Sequence, residues 1–322
     1  MSTPLPTIGW IGTGRMGSQL VHRLIDAGYD VTVYNRTAEK ARPLVEKGAT
    51  SVARPVDLAD RDLVFTMVSA PKDLAEVTTG PNGLLTHPEH APKYLADSST
   101  VSIAASEVLR AAAAERGAEL LATPVSGNPA VIAAGKLTVA ASGPRSAFDA
   151  VEPVLQHFGR GVTYVGEGEV ARLVKIAHNV FLGVVTQSLA EITVLAEKGG
   201  VSREAFLGFL NDSVMGSVFT RYKTPAFVNL DFTPTFTNVL LQKDFDLGLE
   251  AGHELSVPMP IASATRNIVA QEVGNGNVEL DFATLLLTVA RGAGLELRPE
   301  DVDVTDGLEA ESAPAYLMEQ VG

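Results

Sequence analysis

A lysine, a histidine and an asparagine interrupt an otherwise apolar stretch of the sequence, LVKIAHNVFLG at positions 173–183. Burying an amine and two polar side chains costs free energy unless they find partners. In a helix, Lys175 and Asn179 would share one face, and burial would favour the neutral amine, which can accept a proton. The stretch raises the hypothesis of an acid/base lysine beside His178. Taken alone, it favours a structural lysine that reaches the surface from a buried helix.

A glycine-rich turn near the start of the chain could bind phosphate. The segment IGWIGTGRMGSQL contains Gly12, Gly14 and Gly17, with Arg15 and Met16 between the last two. It ends an apolar, β-branched run and opens a helical pattern, which is the context this motif requires. Glycines there allow a tight turn and close approach of a pyrophosphate, and the helix N-terminus offers N–H groups. We predict a dinucleotide site; the alternative is a plain tight turn.

The end of the second predicted strand indicates which dinucleotide binds. Enzymes that use NADH usually carry an Asp or Glu there for the ribose hydroxyls. This chain has Asn35, Arg36 and Thr37 instead, and a guanidinium pairs with a phosphate and stacks on adenine. The sequence therefore favours NADPH over NADH. The alternative is that Arg36 is a solvated loop residue and Asn35 serves either cofactor.

Composition excludes several classes of protein. The 322 residues carry a formal net charge of −13, which argues against binding to nucleic acid or to an anionic membrane. There are no cysteines, hence no disulfide, zinc–thiolate site or thiol nucleophile. The six histidines show no metal-ligand spacing, so we predict no metal site. We see no signal peptide and no apolar stretch of membrane-spanning length, which predicts a soluble cytoplasmic protein.

The sequence pattern divides the chain into two domains and a tail. In residues 1–166, short apolar strands alternate with helical segments, which predicts an α/β domain with a doubly wound parallel sheet covered on both faces. A continuous helix then runs from about residue 169 to 198, apolar on most of its surface and so expected to be buried all round. It joins an all-α domain, 167–298. Residues 299–322 are acidic and predict a mobile tail.

Five motifs in order give the chain a family likeness: IGWIGTGRMG, VSAP (68–71), DSST (97–100), TPVSG (123–127), and KIAHN (175–179) paired with LLQKD (240–244). With them, the sequence resembles the β-hydroxyacid dehydrogenases, which include 3-hydroxyisobutyrate dehydrogenase and glyoxylate/succinic semialdehyde reductase. The resemblance extends to about residue 294. It implies a Rossmann-type domain, a long helix and an α-helical domain, and an enzyme that is a homodimer or a larger homo-oligomer.

The resemblance also assigns roles around the opening lysine. It implies that Lys175 is the general acid/base for hydride transfer between NADPH and a small semialdehyde or β-hydroxyacid, and that Asn179 binds substrate. Ser126 and Gly127 would hold the substrate carboxylate through a hydroxyl and a backbone N–H. The family usually continues with another glycine, whereas this chain has Asn128 and then Pro129. Asn128 is therefore a candidate substrate contact and a departure that leaves the particular substrate open.

Four further residues are implied as cofactor contacts. Val68 and Ser69 of VSAP would lie along the cofactor, Thr100 beside the nicotinamide ribose, and Lys243 would reach towards cofactor and substrate. Ser69 and Thr100 could instead be ordinary helix caps, and Lys243 with Asp244 a solvated charge pair.

His178 departs from most of the family, which has Asn there. The KxxHN pattern resembles that of 6-phosphogluconate dehydrogenases, but the residues that follow differ. We interpret His178 as a substrate-pocket or helix-packing residue. Two rival functions remain open. An imine reductase would share the fold but usually lacks the lysine, and a non-catalytic NADP-binding protein would be expected to have lost it.

Overall fold

The computed structural model of the protein describes residues 5–308. Two compact units divide between Ala177 and His178. The predicted boundary at 166/167 lies just before the long helix, whereas this division lies about two turns inside it.

One mixed sheet forms the centre of the first unit. Its strands in the described part of the chain are β1 (Ile8–Ile11), β2 (Val31–Tyr34), β3 (Thr50–Ser51), β4 (Leu63–Thr66), β5 (Tyr94–Asp97), β6 (Glu119–Ala122), β7 (Val125–Ser126), β8 (Thr138–Ser142) and β9 (Gly161–Gly166). Its helices are α1 (Arg15–Asp26), α2 (Arg42–Glu46), α3 (Pro71–Thr79), α4 (Ile103–Glu115), α5 (Pro129–Ala133), α6 (Arg145–Leu155) and the start of α7 (Val170–Lys198).

The strand order confirms the predicted Rossmann-type fold. The order is β3-β2-β1-β4-β5-β6-β8-β7, with β9 beside β8. From β3 to β6 every pairing is parallel. The order reverses between β1 and β4, which is the point where such sheets bind dinucleotides, at the carboxyl ends of the strands.

The far edge of the sheet departs from the all-parallel prediction. Strand β8 runs antiparallel to both β6 and β7. Only Thr123 and Pro124 separate β6 from β7, and a single short helix separates β7 from β8. The chain reverses through α5 between β7 and β8, so β8 returns antiparallel to both β6 and β7.

Both faces of the sheet are buried, as predicted. Trp10 and Ile11 are neighbours on β1 and point to opposite faces. Trp10 packs with Phe65 and Phe158 in one apolar cluster, and Ile11 with Leu95 in another. All five side chains are fully buried. These two layers fix the ends of β1 and β4, where the candidate cofactor site lies.

The second unit is helical, as predicted. Besides the later part of α7, the described chain forms α8 (Arg203–Asp212), α9 (Val218–Asn229), α10 (Asn238–Glu254), α11 (Pro260–Gly274) and α12 (Leu285–Gly292). Its core includes Leu207, Phe227, Phe245 and Phe282. We did not predict α9, because Pro225 lies inside it and disfavours a helix interior. In the structure Ser217 and Thr220 form a capping box at its start, but the sequence signature of such a box has Glu or Gln where this chain has Thr220.

Helix α7 has the predicted length but not the predicted burial. It has 29 residues and is about 44 Å long. Val174, Phe181, Ile192 and Leu195 are exposed, Phe181 to 68%, so the helix is not buried all round. Within the described residues it is long and apolar enough to cross a membrane, contrary to our expectation that no stretch is. Half of its most apolar 18-residue segment is buried, and core helices of soluble proteins can be equally long and apolar. Its length and hydropathy are therefore weak evidence for a membrane span.

The first part of the predicted tail is irregular but bound to the helices. Residues 299–308 form no helix or strand. The Glu300 carboxylate accepts the backbone N–H groups of Arg203 and Glu204 at 2.7 and 2.9 Å, and the Asn229 carboxamide donates to the carbonyl of Val302 at 2.8 Å. These contacts differ from those of a freely mobile segment. Residues 309–322 lie outside the described part of the chain.

Candidate active site

The three glycines of the turn after β1 have different structural tasks. Gly12 has φ +101°, and a Cβ there would lie 2.2 Å from the Met67 carbonyl oxygen. A Cβ at Gly17 would lie 2.1 Å from the Gly12 carbonyl oxygen, whereas one at Gly14 would meet nothing within 4 Å. Gly12 and Gly17 therefore allow the chain to fold tightly. Gly14 leaves open space on the side where a ligand would approach.

The start of α1 has the features of an anion site. Gly14 is the N-cap and offers no side-chain cap, and the first N–H groups of a helix have no partner within the helix. The N–H of Thr13 donates to Asn35 Oδ1 at 2.9 Å, and Asn35 Nδ2 donates to the Thr37 carbonyl at 2.8 Å. Asn35 thus joins the glycine turn to the loop after β2.

A cavity of about 470 Å³ opens beside this turn in the first unit. It lies at the carboxyl ends of β1, β2 and β4, where the fold class binds dinucleotides. It contains seven of the predicted cofactor residues. These are Gly12, Gly14, Asn35, Arg36, Thr37, Val68 and Ser69.

Cationic side chains line one part of the cavity. Besides Arg36, they are Lys40 and Arg54, which the sequence analysis missed. Arg36 Nη1 lies 3.1 Å from Asp73 Oδ1 and its side chain is 77% exposed. The signal for Lys40 was its position four residues after Arg36, whereas Arg54 follows the short β3 and had no sequence signal. Asp73 and Glu76 line the cavity as well, so the side-chain lining carries both charges. The first N–H groups of α1 are the feature that fits the phosphates of a dinucleotide.

The other predicted cofactor residues lie outside that lining. Arg15, Met16 and Gly17 form the first turn of α1. Thr100 is half-buried just beyond the carboxyl end of β5. Lys243 belongs to α10 of the second unit, with its side chain 39% exposed.

The predicted substrate loop begins on β7, which ends at Ser126. Gly127 has φ +140°, and a Cβ there would lie 2.8 Å from side-chain atoms of Val131 and Leu137. Asn128 Oδ1 accepts the N–H of Val131 at 2.9 Å and caps α5, with Pro129 at its first position. The residue that departs from the family pattern is thus used to start a helix. Only glycine fits at position 127, because a side chain there would collide with Val131 and Leu137.

We expect Asn128→Ala to lower the free energy of unfolding by about 1 kcal/mol, since it removes an N-cap. Chemical denaturation measures this loss. Asn128→Asp keeps a capping oxygen and serves as the matched control, with stability near that of the wild type. Equal stability of the alanine and aspartate variants would contradict this role for the side chain.

The three polar residues of the opening stretch differ in burial. Asn179 is buried, Lys175 is half-buried, and His178 is exposed. The expectation that all three lie inside an apolar helix is therefore correct only for Asn179. His178 Nδ1 lies 3.0 Å from Asn179 Oδ1, so the histidine contacts the asparagine rather than an apolar core.

The second unit fixes Asn179 with a buried carboxylate. Asn179 Nδ2 donates to Asp244 Oδ2 at 2.5 Å, and Lys243 Nζ lies 3.7 Å from Asp244 Oδ1. Asp244 therefore links the KIAHN and LLQKD motifs. From the sequence, Asp244 was considered as the partner of Lys243 in a solvated charge pair. Its contact with Asn179 was not predicted, because 65 residues separate the two. Among residues 5–308, no group of three or more His, Cys, Asp or Glu side chains could hold a metal ion.

Two family models together match most of the chain. The NAD binding domain of 6-phosphogluconate dehydrogenase matches residues 7–166, and the NAD-binding domain of NADP-dependent 3-hydroxyisobutyrate dehydrogenase matches residues 166–289. An uncharacterized oxidoreductase, YfjR of Bacillus subtilis, is 32% identical over 282 residues, which is 87% of this chain and 98% of that protein. The chain belongs to the β-hydroxyacid dehydrogenase family. It is an NAD(P)-dependent oxidoreductase that acts on hydroxyl groups.

Further comparisons agree with this family. Glyoxylate/succinic semialdehyde reductase 2 of Arabidopsis thaliana is 30% identical, covering 87% of this chain and 78% of the reductase. The structure of 3-hydroxyisobutyrate dehydrogenase from Mycobacterium tuberculosis with L-serine has a TM-score of 0.77 at 26% identity. The match covers 89% of the present chain and 99% of the Mycobacterium chain. The human cytokine-like nuclear factor N-PAC is 32% identical, but the match spans only 47% of its length. An imine reductase from Pseudomonas sp. shares the fold at a TM-score of 0.59 and 21% identity.

Proposed function

We propose that this dehydrogenase transfers a hydride between NADPH and the carbonyl of a small semialdehyde or β-hydroxyacid, with Lys175 as the general acid/base. The observation that carries the proposal is the position of Lys175 one helical turn before Asn179, whose carboxamide is held by Asp244. The bound nicotinamide cofactor would supply or accept the hydride. The cofactor would be held by the glycine turn, by Asn35 and Arg36 after β2, and by Val68 and Ser69 after β4.

In this proposal Lys175 moves one proton at the substrate oxygen. During reduction its ammonium protonates the carbonyl oxygen as the carbon is reduced, and during oxidation its amine takes the proton from the hydroxyl. Ser126 and the N–H of Gly127 would bind the substrate carboxylate. Donors of this kind are needed because the chain is acidic overall, with a net charge of −13, and an anion must be held by local groups.

The preference for NADPH rests on the charges of the cavity. Arg36, Lys40 and Arg54 line it beside Asp73 and Glu76, and a 2′-phosphate would pair with the three cations. We expect Arg36→Ala to raise the Kd for NADPH about tenfold and to leave that for NADH unchanged, because a charge-assisted hydrogen bond contributes about 1.5–3 kcal/mol and this one is exposed. Isothermal titration with each cofactor measures the effect. Arg42 is an exposed arginine that pairs with Glu46 and does not line the cavity. Arg42→Ala should therefore leave the Kd for both cofactors unchanged.

A panel of carbonyl acids tests the proposed substrate class. NADPH and NADH oxidation are followed separately with glyoxylate, succinic semialdehyde, methylmalonate semialdehyde and tartronate semialdehyde. We expect turnover of at least one of them, and faster with NADPH. Tight cofactor binding without turnover of any of the four would refute the substrate class.

Two rivals are distinguished in the same assay. Cyclic imines are the next panel, because an imine reductase from Pseudomonas shares the fold. Turnover of imines alone would favour an imine reductase, and binding of NADPH without turnover of either panel would refute both substrate classes. The cytoplasmic location and the homo-oligomer stay predictions.

A further inference from the structure

A buried ion pair connects the turn before Lys175 with the end of β5. Arg172 Nη2 donates to Asp97 Oδ2 at 2.5 Å, and the two side chains are 1% and 0% exposed. Arg172 Nη1 donates to the Ser99 carbonyl at 2.6 Å, and its Nε and Nη2 lie 3.2 and 3.1 Å from Ser106 Oγ. A planar guanidinium held by acceptors on several sides has one orientation.

The carboxylate of Asp97 continues the contacts towards the cofactor cavity. Its Oδ1 accepts Thr66 Oγ1 at 2.7 Å and the N–H and hydroxyl of Ser99 at 3.1 and 2.6 Å. Ser99 Oγ in turn accepts the N–H of Val68 at 3.0 Å. Val68 lines the cavity. The loops after β4 and β5 are therefore tied to the same carboxylate that binds Arg172.

The first turn of α7 is held from a second side. Arg110 of α4 donates to Glu169 Oε1 at 2.6 Å, and Ser142 Oγ accepts the N–H of Ala171 at 3.0 Å. Glu169 Oε2 lies 3.6 Å from Arg172 Nε. Together with Arg172, these contacts limit both rotation of the helix about its axis and its movement along that axis.

We propose that Arg172, held by Asp97, is a positioning residue that sets Lys175 relative to the cofactor-binding loops. Arg172 lies three residues before Lys175, on the same side of α7, and both belong to the first unit. Misplacing a reacting group by about 1 Å can lower a rate by roughly a hundredfold. This inference rests on the proposed role of Lys175.

The experiment is a double-mutant cycle with Arg172→Lys and Lys175→Ala. Lysine at position 172 keeps the charge opposite Asp97 but loses the fork that also binds Ser99 and Ser106. With NADPH and the best substrate of the panel, kcat of folded Arg172→Lys should fall roughly ten- to a hundredfold. The Kd for NADPH should stay within about twofold, because Asp97 still accepts Thr66 and Ser99. Combined with Lys175→Ala, the substitution should cause no further loss.

Arg203→Lys is the matched control. Arg203 is also 1% exposed and paired with Glu197, but it lies in the second unit; its substitution should lower stability and leave kcat of the folded enzyme unchanged. If Arg172→Lys does not fold, Ser106→Ala is used instead, since it removes one acceptor of Arg172 and no charge. In the same cycle with Lys175→Ala, we expect Ser106→Ala alone to lower kcat severalfold.

Each outcome has a definite meaning. Unchanged kcat in folded Arg172→Lys, or multiplicative losses in the double variant, would overturn the positioning role while Lys175→Ala alone still supports the proposed function. Full activity of Lys175→Ala would overturn the role of the lysine, and the positioning role with it. The inference is supported if Arg172→Lys lowers kcat in the wild-type background and causes no further fall in kcat when Lys175→Ala is already present.

Discussion

Replacing Lys175 by alanine is expected to lower kcat by about 10²–10⁴, the usual contribution of a general acid/base, and to leave the Kd for NADPH unchanged. The cofactor cavity is formed by other residues, from the glycine turn and the loops after β2 and β4. Steady-state kinetics on the best substrate of the carbonyl-acid panel, together with cofactor titration, measure both quantities.

Lys175→Arg separates proton transfer from charge. Arginine keeps a cation on the same helix turn but does not release its proton in a protein, so we expect it to be nearly as inactive as the alanine variant. Lys198→Ala, in the last turn of the same helix, should retain normal activity. If the arginine variant works like the wild type, Lys175 supplies only charge, and the acid/base account of this helix is wrong.

Gly12→Ala is the second change with a large expected effect. Positive φ at a residue with a Cβ costs about 1–2 kcal/mol, and Gly12 has φ +101° with the Met67 carbonyl oxygen 2.2 Å from the new Cβ. The end of β4 must move to accommodate it, and Val68 and Ser69 there line the cavity. We expect lower stability and a Kd for NADPH raised at least tenfold, measured by chemical denaturation and fluorescence titration.

Two other glycines provide controls for Gly12. Gly14→Ala meets no atom within 4 Å and should fold as stably as the wild type, while weakening NADPH binding by filling the space left for the pyrophosphate. Gly28 has φ +87° and open surroundings, so Gly28→Ala should lower stability without changing the Kd. Wild-type affinity in Gly12→Ala would show that the turn does not hold the cofactor.

The parts of the structure that depend on local sequence were predictable. The glycine turn, the strand–helix alternation and the long helix follow from spacing and apolar pattern, because each involves residues that are near in sequence. The antiparallel edge was not predicted, because the apolar pattern marks the strands but does not show that the chain reverses through α5 between β7 and β8. Helix α9 was not predicted because Pro225 lies inside it, and a proline usually ends a helix since it lacks an N–H and clashes with the preceding turn.

The contacts that join distant parts of the chain were not predictable. Arg172 and Asp97 are 75 residues apart, and Asn179 and Asp244 are 65 apart; no local pattern indicates such pairs. The burial of the opening stretch was overestimated, because hydrophobic periodicity identifies a helix but does not say which faces its neighbours cover. Lys40 and Arg54 became candidates only when the fold placed them at one cavity.

The most direct test of the central claim is label transfer. The wild-type enzyme is mixed with NADPH that carries two deuterium atoms at the reactive nicotinamide carbon and with a carbonyl acid from the panel, and the product is analysed by mass spectrometry. The proposed function predicts a hydroxyacid with one deuterium on the carbinol carbon, formed by the wild type and reduced by about 10²–10⁴ in rate with Lys175→Ala. Bound NADPH with no labelled hydroxyacid from any of the four substrates would contradict it.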